Sequence, residues 1–258
     1  MKLFLINLDR RPERLERMAG LFERLGLEFT RISAVDGTLL TADEVKGLGS
    51  LRPGESGCFL SHRECWQRIV DASLPHAAIF EDDLHLTPGA TSLLRQGGWI
   101  PAGADIVKLE TRLYHARIDK AATATVETRA LHVLRSRHAG AGGYVVTLEG
   151  ARKLLAMTER LEAPVDQVIF NPDLPWAGSL TTLQLVPAIC AQDFYLKEQS
   201  MILGIGSDLH EERTPAKPKG MAKLWREVKR PASRVAGFVR RKLADISSDK
   251  KWVVVDYR

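Results

Sequence analysis

The run Ala77-Ala78-Ile79-Phe80 passes without a break into three consecutive acids, Glu81-Asp82-Asp83. Ile and Phe suit a pleated, covered surface, so the run reads as a buried strand. In an open α/β sheet, ligands gather beyond the carboxyl ends of such strands. Three carboxylates held there repel one another unless a cation sits among them. Their hard oxygens suit Mg²⁺ or Mn²⁺, ions that also bind phosphates. An acidic turn without a ligand is the other reading of the same residues.

The chain has 258 residues, 45% of them hydrophobic and 27% charged, enough for one large domain or a domain with an appendage. No apolar run approaches the roughly 20 residues that span a bilayer. The apolar start of the chain is too short for a signal peptide, and Asp9-Arg10-Arg11 stands where a cleavage site would be. The expectation is a cytoplasmic protein. Cys58, Cys65 and Cys190 are too scattered for a disulfide framework or a zinc site and read as reduced thiols.

The net charge of +5 divides unevenly. Residues 213–258 hold 14 Lys/Arg against 4 Asp/Glu, so the first 212 residues are net acidic. The expected organisation is a domain over 1–212 and a basic, partly helical tail over 213–258.

Along the domain, strand-like and helix-like patterns alternate, which predicts an α/β fold with a Rossmann-like sheet flanked by helices. Leu3 to Leu8 is a first strand. Pro12 opens a helix with Leu15, Met18, Phe22 and Leu25 inward, and Phe29 to Val35 is a second strand. Residues 38–56 read as a loop with a short helical piece, followed by a helix from about Gly57 to Ala72. After the acidic strand come a loop around Pro88-Gly89, a strand Asp105 to Leu109 and a hairpin over Thr123–Val126 and Ala130–Leu134. A strand Tyr144 to Thr147 and a helix Glu149 to Met157 follow. In the tail, Trp225, Phe238 and leucines interleave with Lys and Arg, a pattern suited to an anionic membrane surface through 217–243. The acidic body carries no nucleic-acid motif, so no nucleic-acid partner is expected.

The chain resembles glycosyltransferase family 25, the lipooligosaccharide galactosyltransferase-type enzymes related to collagen galactosyltransferase domains. The matching residues are Ile6-Asn7-Leu8-Asp9-Arg10-Arg11-Pro12-Glu13-Arg14, Ala34-Val35-Asp36-Gly37, and Gly54-Glu55-Ser56-Gly57-Cys58-Phe59-Leu60-Ser61-His62 with Trp66. Ile79-Phe80-Glu81-Asp82-Asp83, Gly143-Tyr144-Val145-Val146 with Gly150-Ala151, and Pro164-Val165-Asp166 complete the ordered set. The resemblance covers roughly residues 3–200 and excludes the tail. It implies a GT-A-like fold, a UDP-sugar donor (galactose most often), a divalent metal that is usually Mn²⁺, and inverting transfer to a saccharide or glycolipid acceptor. Bacterial lipopolysaccharide synthesis at the cytoplasmic face of the inner membrane would fit these expectations.

On that reading Glu81, Asp82 and Asp83 correspond to the family's metal motif, with Asp83 the favoured direct ligand. Arg11 and Arg14 are favoured over Arg10 for the donor phosphates or base, because Arg forks onto phosphate and stacks on rings. The competing reading is an arginine paired to Glu13 or Glu16. Asn7 and Asp36 end two strands and are placed to read uracil or ribose, although Asp36 also suits a turn beside Gly37. Ser61 and His62 are neighbours on a helix and point about 100° apart. That argues against a nucleophilic triad and favours donor-site hydrogen bonding, with ordinary helix packing as the competing reading. Asp166 is the first candidate for general base and Asp193 the second; Asp166 reads otherwise as the cap of a helix over 167–171. Two other functions compete. A haloacid-dehalogenase-like phosphatase would need a second acid that Asp83-Leu84-His85-Leu86-Thr87 lacks. A non-enzymatic carbohydrate- or membrane-binding module would not need an intact acidic triplet.

Overall fold

The computed structural model describes residues 1–196, 245–246 and 248–258. Strand β1 (Lys2–Asn7) is buried from Leu3 onward. Helix α1 (Pro12–Arg24) starts on Pro12, whose missing N–H has no partner to lose in a first turn, and buries Met18, Phe22 and also Arg14. Strand β2 (Thr30–Ser33) pairs parallel with β1, completing the expected strand-helix-strand unit. The helical piece within 38–56 is α2 (Ala42–Leu48), started by a Thr41–Glu44 capping box. Helix α3 (Pro53–Asp71) begins earlier than Gly57, because Pro53 and Glu55 supply a start signal of their own. Strand β3 (His76–Glu81) carries the first acid at its end.

The predicted loop around Pro88 is flanked by β4 (Leu84–Leu86) and α4 (Ala90–Arg95). Then come β5 (Ile106–Lys108), β6 (Glu110–Thr111), β7 (His115–Asp119), and the expected hairpin of β8 (Ala124–Val126) and β9 (Arg129–Val133). Strand β10 (Gly143–Thr147), α5 (Leu148–Met157), α6 (Val165–Phe170), β11 (Thr182–Val186), β12 (Cys190–Gln192) and β13 (Lys250–Val254) complete the described elements.

The main sheet is mixed, in the order β2-β1-β3-β10-β5-β11-β9-β8. β2, β1 and β3 are mutually parallel; β10 runs antiparallel between β3 and β5. Helices cover both faces, which is why β1 and β3 read as continuous apolar runs. Phe4, Ile6 and Ile79 face the core shared with Phe59, Trp66 and Ile69 of α3. Leu3, Leu5, Ala78 and Phe80 face the opposite core, with Met18 and Phe22 of α1. A second sheet, β4-β12-β6, sits just beyond the acidic triplet.

The division at residue 212 does not match the end of the chain. β13 pairs antiparallel with β7, Val255 is fully buried, and Thr111 Oγ1 donates to Val255 O at 2.7 Å. The apolar run Trp252–Val255 is what draws this segment out of the basic tail and onto the domain. The basic helices expected around 223–243 lie outside the described residues. Among the described residues, no helix is long and apolar enough to cross a membrane.

One crossing fixes how α3 meets the sheet. A Cβ on Gly57 would lie 2.5 Å from Val35 O and 2.6 Å from Gly37 N, and one on Gly37 would lie 1.9 Å from Pro53 O. Backbone therefore touches backbone where α3 passes the loop leaving β2. Gly57→Ala is expected to destabilise the fold by about 1–3 kcal/mol in urea titrations, an overpacking cost. Gly47→Ala, where an added methyl meets nothing within 4 Å on the exposed helix α2, is expected to stabilise it by about 0.5–1 kcal/mol.

Candidate active site

The ends of β1, β2 and β3 and the first turns of α3 surround a cleft open to solvent on one side. Its walls include Asn7, Arg10, Arg14, Asp36, Cys58 and His62, and the acids Glu81, Asp82 and Asp83.

The three acids have different surroundings. Asp82 accepts from Asn7 Nδ2 at 2.7 Å and from Arg14 Nη1 at 3.4 Å, so its charge is answered by the first strand and helix. Arg17 of α1 reinforces the turn, donating to the carbonyls of Asp82 at 3.3 Å and Leu84 at 2.8 Å. Glu81 and Asp83 share one donor, Gln192 Nε2, at 2.8 Å from Glu81 Oε2 and 3.4 Å from Asp83 Oδ1. Burial pushes the Asp83 carboxyl well above its usual range, and the negative charges of Glu81, Asp82 and Glu110 push it further. Burial among like charges therefore favours the neutral form of Asp83, and a cation bound between Glu81 and Asp83 would relieve that repulsion. Carboxylate oxygens are hard donors that suit Mg²⁺ or Mn²⁺.

Cys58, His62 and Glu81 also offer ligand atoms within 4.8 Å of one another, a set that could hold a metal ion. The hydrogen bonds behind His62 decide which nitrogen carries its proton. Trp66 Nε1 can only donate, and it donates to Tyr144 Oη at 2.9 Å. Burial keeps the Tyr144 phenol protonated, with its pKa raised well above the ordinary value. Its hydrogen then goes to His62 Nδ1, 2.9 Å away, and His62 Nε2–H donates to Glu81 Oε1 at 3.2 Å. This Trp66–Tyr144–His62–Glu81 relay holds the Glu81 carboxylate at the cleft floor.

Other predicted residues take several positions. Arg10 and Arg14 line the cleft, whereas Arg11 is the residue preceding α1 and its Nη1 lies 3.7 Å from Glu13. Arg14, inside the first turn of α1, reaches Asp82. Asp36 lines the cleft, but its carboxylate caps the turn at Gly37–Leu39 through Thr38 and pairs with Arg10 Nε at 2.6 Å. Ser61 is fully buried; its hydroxyl donates to Gly57 O and accepts from Val35 N, so it ties α3 to the loop after β2. Asp166 does not cap its helix, which starts at Val165 after Pro164; its carboxylate accepts from Gly140 N at 3.0 Å. Asp193 is fully buried, with Oδ1 2.7 Å from His85 Nε2.

Sequence reasoning overlooks Lys108, Glu110 and Gln192. Lys108 is fully buried over the Phe170 ring, 3.9 Å from its centroid, and donates to Glu110 Oε2, Ala139 O and Gly140 O. Glu110 Oε2 also accepts from Gly142 N at 3.0 Å. Together with Asp166 they clamp the glycine-rich entry to β10, whose Gly142 O accepts from Glu81 N at 2.8 Å. A lysine within the apolar run Ile106–Leu109 was the available signal. Behind it, His138 Nδ1 donates to Gln184 Oε1 at 2.9 Å, and burial lowers its pKa to about 3.

Two outcomes are expected. Tyr144→Phe leaves the Trp66 N–H without an acceptor, at a cost of about 1–3 kcal/mol. It also frees His62 from the Nε2–H tautomer, which ¹⁵N NMR of the imidazole reads directly. For His138, the folded state stays neutral while the unfolded chain takes up a proton below about pH 6.5. The stability of the wild type relative to His138→Gln should therefore fall as pH drops below that value, with a slope of up to about 1.4 kcal/mol per pH unit. A flat difference between pH 7 and 4 in urea titrations would contradict it.

Comparison with known proteins agrees with this geometry. The family model for glycosyltransferase family 25 (LPS biosynthesis protein) matches residues 1–169. The chain is 30% identical over 236 residues to the lacto-N-neotetraose biosynthesis glycosyltransferase LgtB of Neisseria gonorrhoeae, covering 83% of this chain and 82% of the relative. It is 31% identical over 235 residues to LgtE of the same organism, with 83% and 82% covered. A glycosyltransferase 25 family member of Drosophila pseudoobscura pseudoobscura is 34% identical over 215 residues, covering 71% of this chain and 32% of that longer protein. The chain belongs to glycosyltransferase family 25 and is a glycosyltransferase.

Proposed function

We propose that this enzyme is a metal-dependent, inverting glycosyltransferase of the GT-A type. It moves a sugar, galactose by preference, from a UDP-sugar to a hydroxyl of a saccharide acceptor in lipopolysaccharide, lipooligosaccharide or another cell-surface glycan. The observation that carries the reading is the pair Glu81 and Asp83, two carboxylates bridged by the Gln192 side chain in the cleft lined by Asn7, Arg10 and Arg14. The neisserial relatives, named for lacto-N-neotetraose biosynthesis, support the choice of a saccharide acceptor.

Glu81 and Asp83 would hold Mn²⁺ or Mg²⁺, with Asp82 behind them on Asn7 and Arg14. When bound, the cation supplies Lewis-acid stabilisation of the departing diphosphate. Arg10 and Arg14 face the cleft and supply further positive charge for the phosphates. Asn7, Asp36, Ser61 and His62 border the same cleft and would meet the nucleoside, with Arg11 beside them ahead of α1. Asp166 takes the acceptor proton. Its partial exposure supports it over Asp193, which is fully buried and paired to His85. The catalytic domain comprises 1–212 with the closing strand at 250–254. The basic segment 217–243 would bring it to an anionic membrane surface on the cytoplasmic side, a reading that rests on composition.

Titration calorimetry with a panel of UDP-sugars tests the assignment. UDP-galactose should bind in the presence of Mn²⁺ and lose most of its affinity when EDTA is added. Glu81→Gln and Asp83→Asn should each lower kcat/KM by about 100-fold or more. Asp83→Asn should also raise the melting temperature of the metal-free protein, since it removes a buried charge among like charges. Nucleotide-sugar uptake indifferent to the chelator would remove the metal from the mechanism.

A further inference from the structure

Beyond the acids, on the side away from the nucleotide cleft, three aromatic side chains gather. β6 leads through Arg112 and Leu113 to Tyr114, and β12 leads through Asp193 to Phe194 and Tyr195. The rings of Tyr114 and Tyr195 meet edge to face, with centroids 6.1 Å apart and planes at 72°. Phe194 and Tyr195 meet at 5.2 Å and 89°. The Arg112 guanidinium lies 4.5 Å from the Tyr195 centroid. Tyr114 is 60% exposed and Phe194 42% exposed.

The cluster is tied to the acids from beneath. β12 and β6 are paired in parallel, so both chain segments leave the small sheet in the same direction. Asp193 N donates to Asp83 O at 2.8 Å, and the preceding Gln192 bridges Glu81 and Asp83. On the β6 side, Leu113 adopts φ 57°, a left-handed conformation unfavourable for a leucine. Thr111 Oγ1 holds that turn by accepting from Leu113 N at 3.0 Å. Such strain persists where the surroundings enforce it, and here it delivers Tyr114 to the surface.

We propose that Tyr114, Phe194 and Tyr195 form the subsite for the acceptor saccharide. This deepens the sugar-transfer reading and rests on it. The C–H faces of a pyranose are apolar and slightly positive, and they complement the negative face of an aromatic ring. Its hydroxyl edges remain for polar neighbours, of which Arg112 is the nearest. Position selects the acceptor over the donor. The nucleotide cleft approaches the acids from Asn7, Arg10 and Asp36, while the aromatic cluster approaches them from β6 and β12. Two substrates that react at one point must arrive from different sides, and the second side is this one.

The test uses the full-length enzyme with Mn²⁺, UDP-galactose and three acceptors: lactose, N-acetyllactosamine and p-nitrophenyl N-acetylglucosaminide. Tyr114→Ala should raise the acceptor KM about tenfold or more, the loss expected for a ring stack. Tyr114→Trp should restore it, and the dissociation constant for UDP should stay within about twofold in both variants. Phe194→Ala should act in the same direction as Tyr114→Ala. An acceptor KM unchanged in both alanine variants overturns the subsite, as does a parallel loss of UDP affinity, which would mark a structural role. If Tyr114→Ala instead leaves KM alone and loses binding to phosphatidylglycerol vesicles, the patch is a membrane contact and the proposal falls. A wild type that transfers no sugar to any acceptor from any UDP-sugar removes the function itself, and the subsite with it.

Discussion

Burying Asp83 beside Glu81, Asp82 and Glu110 is the constraint to which most of the polar architecture of this domain answers. Each like charge in a poorly hydrated place raises the cost of the others. The fold meets that cost selectively. Arg14 and Asn7 answer Asp82, and Lys108 with the Gly142 N–H answers Glu110. Burial still pushes Glu110 up and Lys108 down, each toward its neutral form. Glu81 accepts from Gln192, from His62 Nε2–H and from the Cys58 thiol, and Gln192 also reaches Asp83. Asp83 stays among like charges that push it toward its neutral form, and a cation bound there would let it ionise.

Topology explains why those groups can converge. Three parallel strands, β2, β1 and β3, end together and provide the nucleotide side, the usual location for a ligand in an open α/β sheet. The antiparallel insertion of β10 between β3 and β5 does something a purely parallel sheet would not. It places the amino end of β10 against the carboxyl end of β3, so the glycines at 140–143 arrive at the acids. Lys108 and Glu110, at the end of β5 and the start of β6, then clamp that entry. The small sheet β4-β12-β6 continues past the triplet and supplies the opposite wall. One end of one strand is in this way enclosed from two sides.

Local patterning made the main strands and helices legible. β1, α1, β3, β10 and α5 carry strong apolar periodicity, and the structure places them where that periodicity indicates, within a few residues. The short strands β4, β6 and β7 lacked a signal because β4 and β6 have only three and two residues and β7 mixes His, Arg and Asp with its apolar residues, and their pairing is decided by distant partners such as β12 and β13. The final strand was obscured by charge: Lys250 and Lys251 resemble the basic tail before them, yet Val255 is buried. At the site, the acids and Arg14 stand out by charge, and the structure brings them to one cleft; Arg11 stands before α1, where helical spacing gives no direction for its side chain. Gln192 and Tyr144 could not be ranked at all, since a neutral side chain in a strand shows its role only through the partner it reaches.

That last point separates two kinds of residue within the motifs. Asn7, Arg14, Glu81 and Asp83 border the cleft, and a substrate can meet them directly. Gly57, Ser61, Trp66 and Tyr144 belong to the same ordered motifs but are buried, and each acts on a neighbour. Gly57 admits the backbone of the β2 loop, Ser61 ties that loop to α3, and Trp66 and Tyr144 orient His62. A run such as Gly57-Cys58-Phe59-Leu60-Ser61-His62 therefore needs its residues for reasons that alternate along the helix. Cys58 and His62, four apart, share the face that touches the cleft, with Trp66 one turn further along it, and Gly57 and Ser61 share the adjacent face that meets the β2 loop. The motif is a record of that geometry as much as of the chemistry it serves.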